Sequence, residues 1–282
     1  MVQLSTLGVF ARPMLMSKAN CIVMVLALSL VASARGAAGI ALEANARWQL
    51  EFPDLPDTLA TMSTGQRQPA RLTVQLPANY SRERKFPLFA FLNGDDGGRG
   101  DTLPRDPKII GSNDFICVSL PLFKRAFDKT NGVLVTVDDF ETVSRAYRVM
   151  FQKLFDTVPN IAPERSALGG FSNGAHTTAL LLAGQDDFIL SHFRAFYFVE
   201  GGNPLAANAL HRAVLKPCRF LLMCGDQGND YLSPAVEFGA RQRGLDFTFI
   251  TMRDTGHEFP LKYQRLLGQW IRGERLSETE QK

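Results

Sequence analysis

Two early segments, "RWQLEF" (47–52) and "ARLTVQL" (70–76), alternate apolar and polar positions with the two-residue period of strands that bury one face. "FPLFAFL" (86–92) and "DFICVSL" (114–120) are nearly continuous apolar runs, the pattern of strands covered on both sides. Between them "NGDDGGRGD" is too rich in glycine and aspartate for a regular element and reads as a loop. Phe140, Val143, Tyr147, Met150 and Leu154 recur at steps of three and four. That spacing predicts an amphipathic helix ending before Pro159, with Thr136 and Asp139 as its capping box. "SALGGF" (166–171) reads as a strand that passes directly into a helix beginning near Gly174. "AFYFV" (195–199), "RFLLMC" (219–224) and "FTFITM" (247–252) are further strands separated by helix-compatible sequence, and "LKYQRLLGQWI" (261–271) closes the chain as a helix.

Strands alternating with helices build β-α-β units, so the expected class is α/β: one domain, a mostly parallel sheet, helices on both faces. No repeat, low-complexity segment or long linker divides it. In such sheets ligands bind beyond the carboxyl ends of the strands, so chemistry is sought just after each apolar run.

One junction stands out. In "GGFSNGAH" Ser172 lies between a strand and a helix, with Gly170 two residues before it and Gly174 two after. A chain turning that sharply holds its apex residue strained and exposed above a helix amino terminus, and the glycines let strand and helix approach closely. Ser172 is therefore a candidate nucleophile, and the following backbone amide, Asn173, is aimed at an oxygen that becomes negative.

A serine hydroxyl needs a base, and imidazole accepts and returns a proton near neutral pH. His257, in "RDTGHEFP", follows the last strand and precedes the last helix, which places it at the same sheet edge as Ser172. His176 lies one turn beyond Ser172 on the helix, placed to pack or cap, and the polar neighbours of His192 and His211 mark surface residues. A carboxylate should orient the imidazole. "CGDQGNDYLSPA" supplies Asp226 and Asp230 after the strand ending at Cys224. Asp230, ahead of an apolar residue and a helix start, is the first choice and Asp226 the alternative. Glu200, at the end of another strand, is the third candidate, and the unused aspartate is expected to cap its loop.

The order Ser, Asp, His, the sharp turn and the sequence of elements together resemble the α/β-hydrolase superfamily across nearly everything after residue 34. More closely, "LPANYSRERKFPLFAFLNGDDGG" and "NIAPERSALGGFSNGAH" look like the matching segments of exported esterases of the feruloyl-esterase, polyhydroxybutyrate-depolymerase and esterase-D type. The resemblance implies cleavage of carboxylic esters through an acyl-enzyme, a small-molecule or oligomeric ester as substrate, and no metal or organic cofactor. It also makes the backbone amide of Asp95 the second oxyanion donor. Where those relatives usually read His-Gly, this chain reads Asn93-Gly94, but a backbone donor needs no particular side chain.

Composition narrows the picture. The 282 residues, 45% hydrophobic, supply one sizeable core. Basic and acidic residues (31 and 28) are scattered, so no basic face points to nucleic acid. The short stretch from Gly174 to Asp230 leaves no room for a large lid. Asp95, Asp96, Arg99 and Asp101 carry net negative charge near the site, which disfavours strongly anionic acyl groups. Phe123, Phe127 and Phe171 are candidates for pocket wall or core. Cys117, Cys218 and Cys224 are an odd set in or beside buried strands, expected to be free thiols that act as small hydrophobes. No spacing of Cys and His suggests a metal. A serine peptidase on the same fold, or a binding protein that has kept the fold, remains as a reading from another class.

Residues 1–34 differ from the rest: Arg12 and Lys18 without an acid, the apolar run Cys21–Ala32, then Ala32 and Ala34 at the small-residue positions of a cleavage site. The run is shorter than the ~20 residues that span a bilayer, so export by a removable signal is expected, leaving a catalytic domain of residues 35–282 with no stable membrane insertion. Its destination would be periplasmic or extracellular. Amino-terminal sequencing of protein recovered outside the cytoplasm should begin beyond Ala34; a chain that retains "CIVMVLALSL" would instead be anchored.

Overall fold

The protein is seen here as a computed structural model in which residues 41–98, 100, 106–111, 113–123, 140–184, 186–202, 213–227 and 244–276 are described. Its strands are β1 (Arg47–Phe52), β2 (Ala70–Gln75), β3 (Leu88–Leu92), β4 (Ile116–Leu120), β5 (Ala167–Phe171), β6 (Ala195–Val199), β7 (Arg219–Gly225) and β8 (Asp246–Met252). The helices are α1 (Leu59–Thr64), α2 (Asp106–Ile110), α3 (Phe140–Thr157), α4 (Asn173–Ala183), α5 (Asp187–His192) and α6 (Leu261–Arg272). All eight strands join one sheet in the order β1-β2-β4-β3-β5-β6-β7-β8. β1 and β2 run antiparallel to their neighbours, and every pairing from β4 to β8 is parallel. This is the expected α/β architecture.

Burial follows the apolar pattern. Every residue of β3, β4 and β6 is buried, as continuous apolar runs require, whereas β1 exposes alternate positions. On one face Phe89, Phe91, Tyr197, Val199, Leu221 and Met223 pack under Ile109 of α2 and Tyr263, Leu267 and Trp270 of α6. On the other, α4 lies against β3, β5 and β6, and α3 and α5 pack on α4. α3 buries Val143, Tyr147, Met150, Phe151 and Leu154, the stripe its sequence spacing predicts. Thr136 and Asp139, the proposed capping box, lie outside the described residues.

Two details depart from the sequence expectations, and a third settles between alternatives. α1 and α5 are single-turn helices, too short for a periodic signal, and each starts on a capping side chain: Thr58 accepts from Thr61 N–H and Asp186 from Phe188 and Ile189 N–H. His192 is half-buried, with its ring 4.3 Å from Phe155 and 4.5 Å from Phe188, because α5 presents it to α3. Phe123 is fully buried, edge-on to Tyr147, and belongs to the core. Phe127 and His211 lie outside the described residues. Cys117, Cys218 and Cys224 are buried free thiols, as expected.

Close approach of α4 to the sheet depends on two glycines. A Cβ on Gly174 would stand 2.1 Å from the Leu92 carbonyl oxygen, and one on Gly170 would stand 2.3 Å from the same atom. Backbone cannot step aside as a side-chain tip can. Gly174→Ala is therefore expected to destabilise the fold by ~1–3 kcal/mol in urea unfolding. Gly256→Ala, whose Cβ would meet nothing nearer than 3.6 Å, should stay within ~0.5 kcal/mol. Equal midpoints for the two variants would refute the close-packing argument.

Candidate active site

β5 ends at Phe171 and α4 begins at Asn173, so Ser172 alone makes the turn, with φ 52° and ψ −116°. A non-glycine residue pays on the order of 1–2 kcal/mol for that hand of backbone. The surroundings impose it: Ser172 N–H donates to Val199 O of β6 at 2.8 Å, and Ser172 O accepts from His176 N–H at 3.0 Å. The hydroxyl is left at the carboxyl edge of the sheet, where His257 Nε2 lies 2.9 Å from Ser172 Oγ. That is hydrogen-bond distance for a nucleophile and its base.

His257 is carried by the loop between β8 and α6, and its side chain is 48% exposed. Phe171 supports it from below, ring centroids 5.2 Å apart, so this phenylalanine forms site wall. Partial burial lowers the imidazole pKa and favours the neutral ring that a base requires. The loop is tied to the end of β7: Gln227 N–H donates to Thr255 O at 3.0 Å, and Thr255 N–H donates to Asp226 Oδ1 at 3.3 Å. Asp226 is exposed and fastens the loop, the capping role expected of one of the two aspartates.

The carboxylate found at His257 is that of Glu200, the third candidate from sequence. Its Oε2 lies 3.5 Å from His257 Nδ1, and its Oε1 accepts from Gly225 N–H. Glu200 is fully buried, and burial pushes its carboxyl up to about 7, against the opposing pull of the Gly225 N–H bond. Behind it the Cys224 thiol is pushed up to about 12 by burial and then by Glu200 itself, which leaves it an inert hydrophobe. Asp230 lies outside the described residues. Sequence ranked Glu200 low because it follows β6 and not β7; the sign available was an acid ending a strand of continuous apolar residues.

On the other side of Ser172 stands the loop after β3. Gly94 sits against the nucleophile, since a Cβ there would come 2.6 Å from Phe171 and 3.1 Å from Ser172 Cβ. Asp95 follows at φ 54°, and Asn173 Nδ2 donates to Asp95 O at 2.8 Å. The residue whose own amide opens α4 thus uses its side chain to fasten the loop that carries the other expected donor. Asp96 is turned into the loop, accepting from Ser63 Oγ at 2.8 Å and Gly98 N–H at 2.9 Å, while Asp95 is exposed. Arg99 and Asp101 lie outside the described residues. Asp95, Ser172, Glu200 and Asp254 all have φ of 52–54°, and each directly or closely follows the carboxyl end of a strand. Among the described residues no cluster of His, Cys, Asp and Glu could hold a metal, and no helix is long and apolar enough to cross a membrane.

The strand order and the strained turn after β5 define the α/β-hydrolase fold. Among solved structures the chain is similar to a ferulic acid esterase from Anaeromyces mucronatus, at 13% identity and TM-score 0.51, covering 84% of this chain and 93% of that one. It is similar also to the feruloyl esterase module of Clostridium thermocellum, at 15% identity and TM-score 0.52, covering 83% and 89%. The AtxE2 isopeptidase shares the fold at 14% identity and TM-score 0.52, but this chain spans 41% of its length. A dipeptidyl aminopeptidase IV from Bacteroides ovatus is spanned over 35% of its length. No family model and no curated protein matches the sequence.

Burying Glu200 has a thermodynamic signature that does not depend on activity. Its folded-state pKa, about 7, lies above the ordinary glutamate value of 4.5, so the folded protein holds that proton more tightly than the unfolded chain does. Stability from this group is present at low pH, falls as pH rises from about 4.5 to about 7, and is level above. Relative to the parent, Glu200→Gln should therefore gain stability across that window, by up to ~3 kcal/mol. A stability difference that stays constant from acid to neutral pH would show that Glu200 is not held protonated by burial.

Proposed function

We propose that the protein is a serine hydrolase that cleaves carboxylic esters, with Ser172 as nucleophile, His257 as general base and Glu200 as the orienting acid. The observation that carries this reading is the 2.9 Å contact of His257 Nε2 with Ser172 Oγ at a strained strand-to-helix turn. Ser172 Oγ attacks the carbonyl carbon while His257 Nε2 takes its proton. The carbonyl electron pair moves to oxygen, which the backbone amides of Asn173 and Asp95 stabilise, each donor lowering the barrier by ~3 kcal/mol. Collapse expels the alcohol, which takes the proton from His257 and leaves Ser172 acylated. Water then attacks with His257 again as base, releasing the acid and restoring the serine. Glu200, facing Nδ1, stabilises the imidazolium formed in each half-reaction.

Esters are favoured over peptides by the likeness to feruloyl esterases over nearly their full length, whereas the isopeptidase is matched over less than half of its own. Export of a domain beginning near residue 35 fits the same reading and rests on the amino-terminal pattern alone.

Fluorophosphonate should label Ser172, and Ser172→Ala should abolish both labelling and hydrolysis of p-nitrophenyl acetate without loss of fold. Glu200→Gln should lower turnover at least ~10³-fold, while Asp226→Asn stays within ~10-fold. In the parent, kcat/KM should rise with pH through about 7, where Glu200 loses its proton. An unlabelled Ser172 would leave a binding protein, and cleavage of peptides but no esters would make it a peptidase. A mild effect at Glu200 with a severe one for Asp230→Asn would move the acid to Asp230.

A further inference from the structure

His176 is a buried histidine beside the triad to which the mechanism gives no task. It lies on the first turns of α4 and is 9% exposed, and its Nδ1 accepts from the Gly202 N–H at 3.1 Å. Gly202 belongs to the turn that leaves β6, in which Glu200 (φ 54°) and Gly202 (φ 79°) both take the left-handed backbone. This turn is pressed against α4: a Cβ on Gly201 would stand 2.6 Å from Ser172 O and 3.3 Å from His176 Cδ2, and one on Gly202 would stand 2.9 Å from Ala175 O. The strained segment carrying Glu200 is therefore held on one side by β7, through Glu200 N–H to Met223 O at 2.9 Å, and on the other by the His176 ring.

We propose that His176 is a positioning residue whose neutral ring clamps the Glu200–Gly202 turn and so sets the Glu200 carboxylate against His257. The inference rests on Glu200 acting as the orienting acid. An Nδ1 that accepts a hydrogen bond carries no proton, so the neutral ring must hold its proton on Nε2. Protonating Nδ1 would aim one N–H at another and break the clamp. Burial, and secondarily His257, lower the His176 pKa and keep the ring neutral. Among the described residues His257 on the β8–α6 loop acts on its charge, and Glu200 at the end of β6 lies two residues before its partner Gly202. Arg148 of α3 and Asp186 before α5 pair with each other at 3.3 Å at the far end of α4, where Asp186 N–H bonds Leu181 O.

Two variants separate clamping from mere filling. His176→Leu keeps bulk without the acceptor and should lower kcat ~10–100-fold with little change in KM, because a displaced carboxylate misorients the base. His176→Asn offers Oδ1 in place of Nδ1 and cannot take up a proton. It should keep kcat within ~3-fold at alkaline pH and lose the steepest part of the acid limb of kcat/KM. Parent-like kcat in His176→Leu, or an acid limb unchanged in His176→Asn, overturns the proposal; should the leucine variant not fold, the asparagine profile decides. Nitrogen-15 spectra of histidine-labelled protein give a readout free of catalysis. His176 should show the Nε2–H tautomer, and the His257 resonances should shift in the His176 variants. The Nδ1–H tautomer overturns the clamp whether or not fluorophosphonate labels Ser172, whereas an unlabelled Ser172 with the Nε2–H tautomer removes the hydrolase reading alone.

Discussion

Everything at this site hangs on the contact between the α4 backbone and the Leu92 carbonyl. Because residues 170 and 174 have no Cβ, the helix descends to within van der Waals reach of β3, and Ser172 must complete the turn in a conformation few residues accept. The loop after β3 is thereby brought beside the nucleophile, and Asn173 Nδ2 reaches Asp95 O. Widen that approach and the serine loses its strain, the loop after β3 its anchor and the helix amino terminus its place beneath Ser172.

The acid side of the site is arranged on different terms. Glu200 is buried, with the Gly225 N–H and the His257 imidazole against its carboxyl oxygens, an expensive location for a carboxylate. Its raised pKa and the lowered pKa of His257 are two effects of one cause, the removal of water, and both favour a pair that is uncharged at rest. Above about pH 7 Glu200 gives up its proton, and its buried carboxylate then faces the imidazolium that the proposed proton transfer would form. Ionising a carboxyl in so buried a place costs the folded state stability as pH rises towards neutral, the exchange commonly met where a site overrides packing.

Sequence was most informative where structure is locally encoded. The apolar runs of β3, β4 and β6, the stripe of α3, the glycines around Ser172 and the placement of His257 after the last strand all rest on spacing within a few residues. The carboxylate beside His257 was harder to read, because several strands are followed by a carboxylate and only tertiary geometry separates them. Asp226 proves to fasten the loop that carries the base, and Glu200 reaches the imidazole because its own left-handed turn redirects it. His192 was misread for a similar reason: its polar neighbours in sequence say nothing of Phe155, which approaches from another helix. Short helices such as α1 and α5 announce themselves by a capping residue alone.

The proposed base and the proposed nucleophile stand on unequal footings. β5, which ends just before Ser172, lies in the middle of the sheet and is paired on both sides, whereas β8, which leads to His257, is an edge strand that among the described residues pairs with β7. Outer strands open at lower free energy than central ones, and they do so without the rest of the sheet following. Fraying of β8 would part the imidazole from a serine still held in its turn, a local opening that needs no global unfolding. For a site built this way, how firmly that edge is fastened bears on its integrity as directly as the packing of the core.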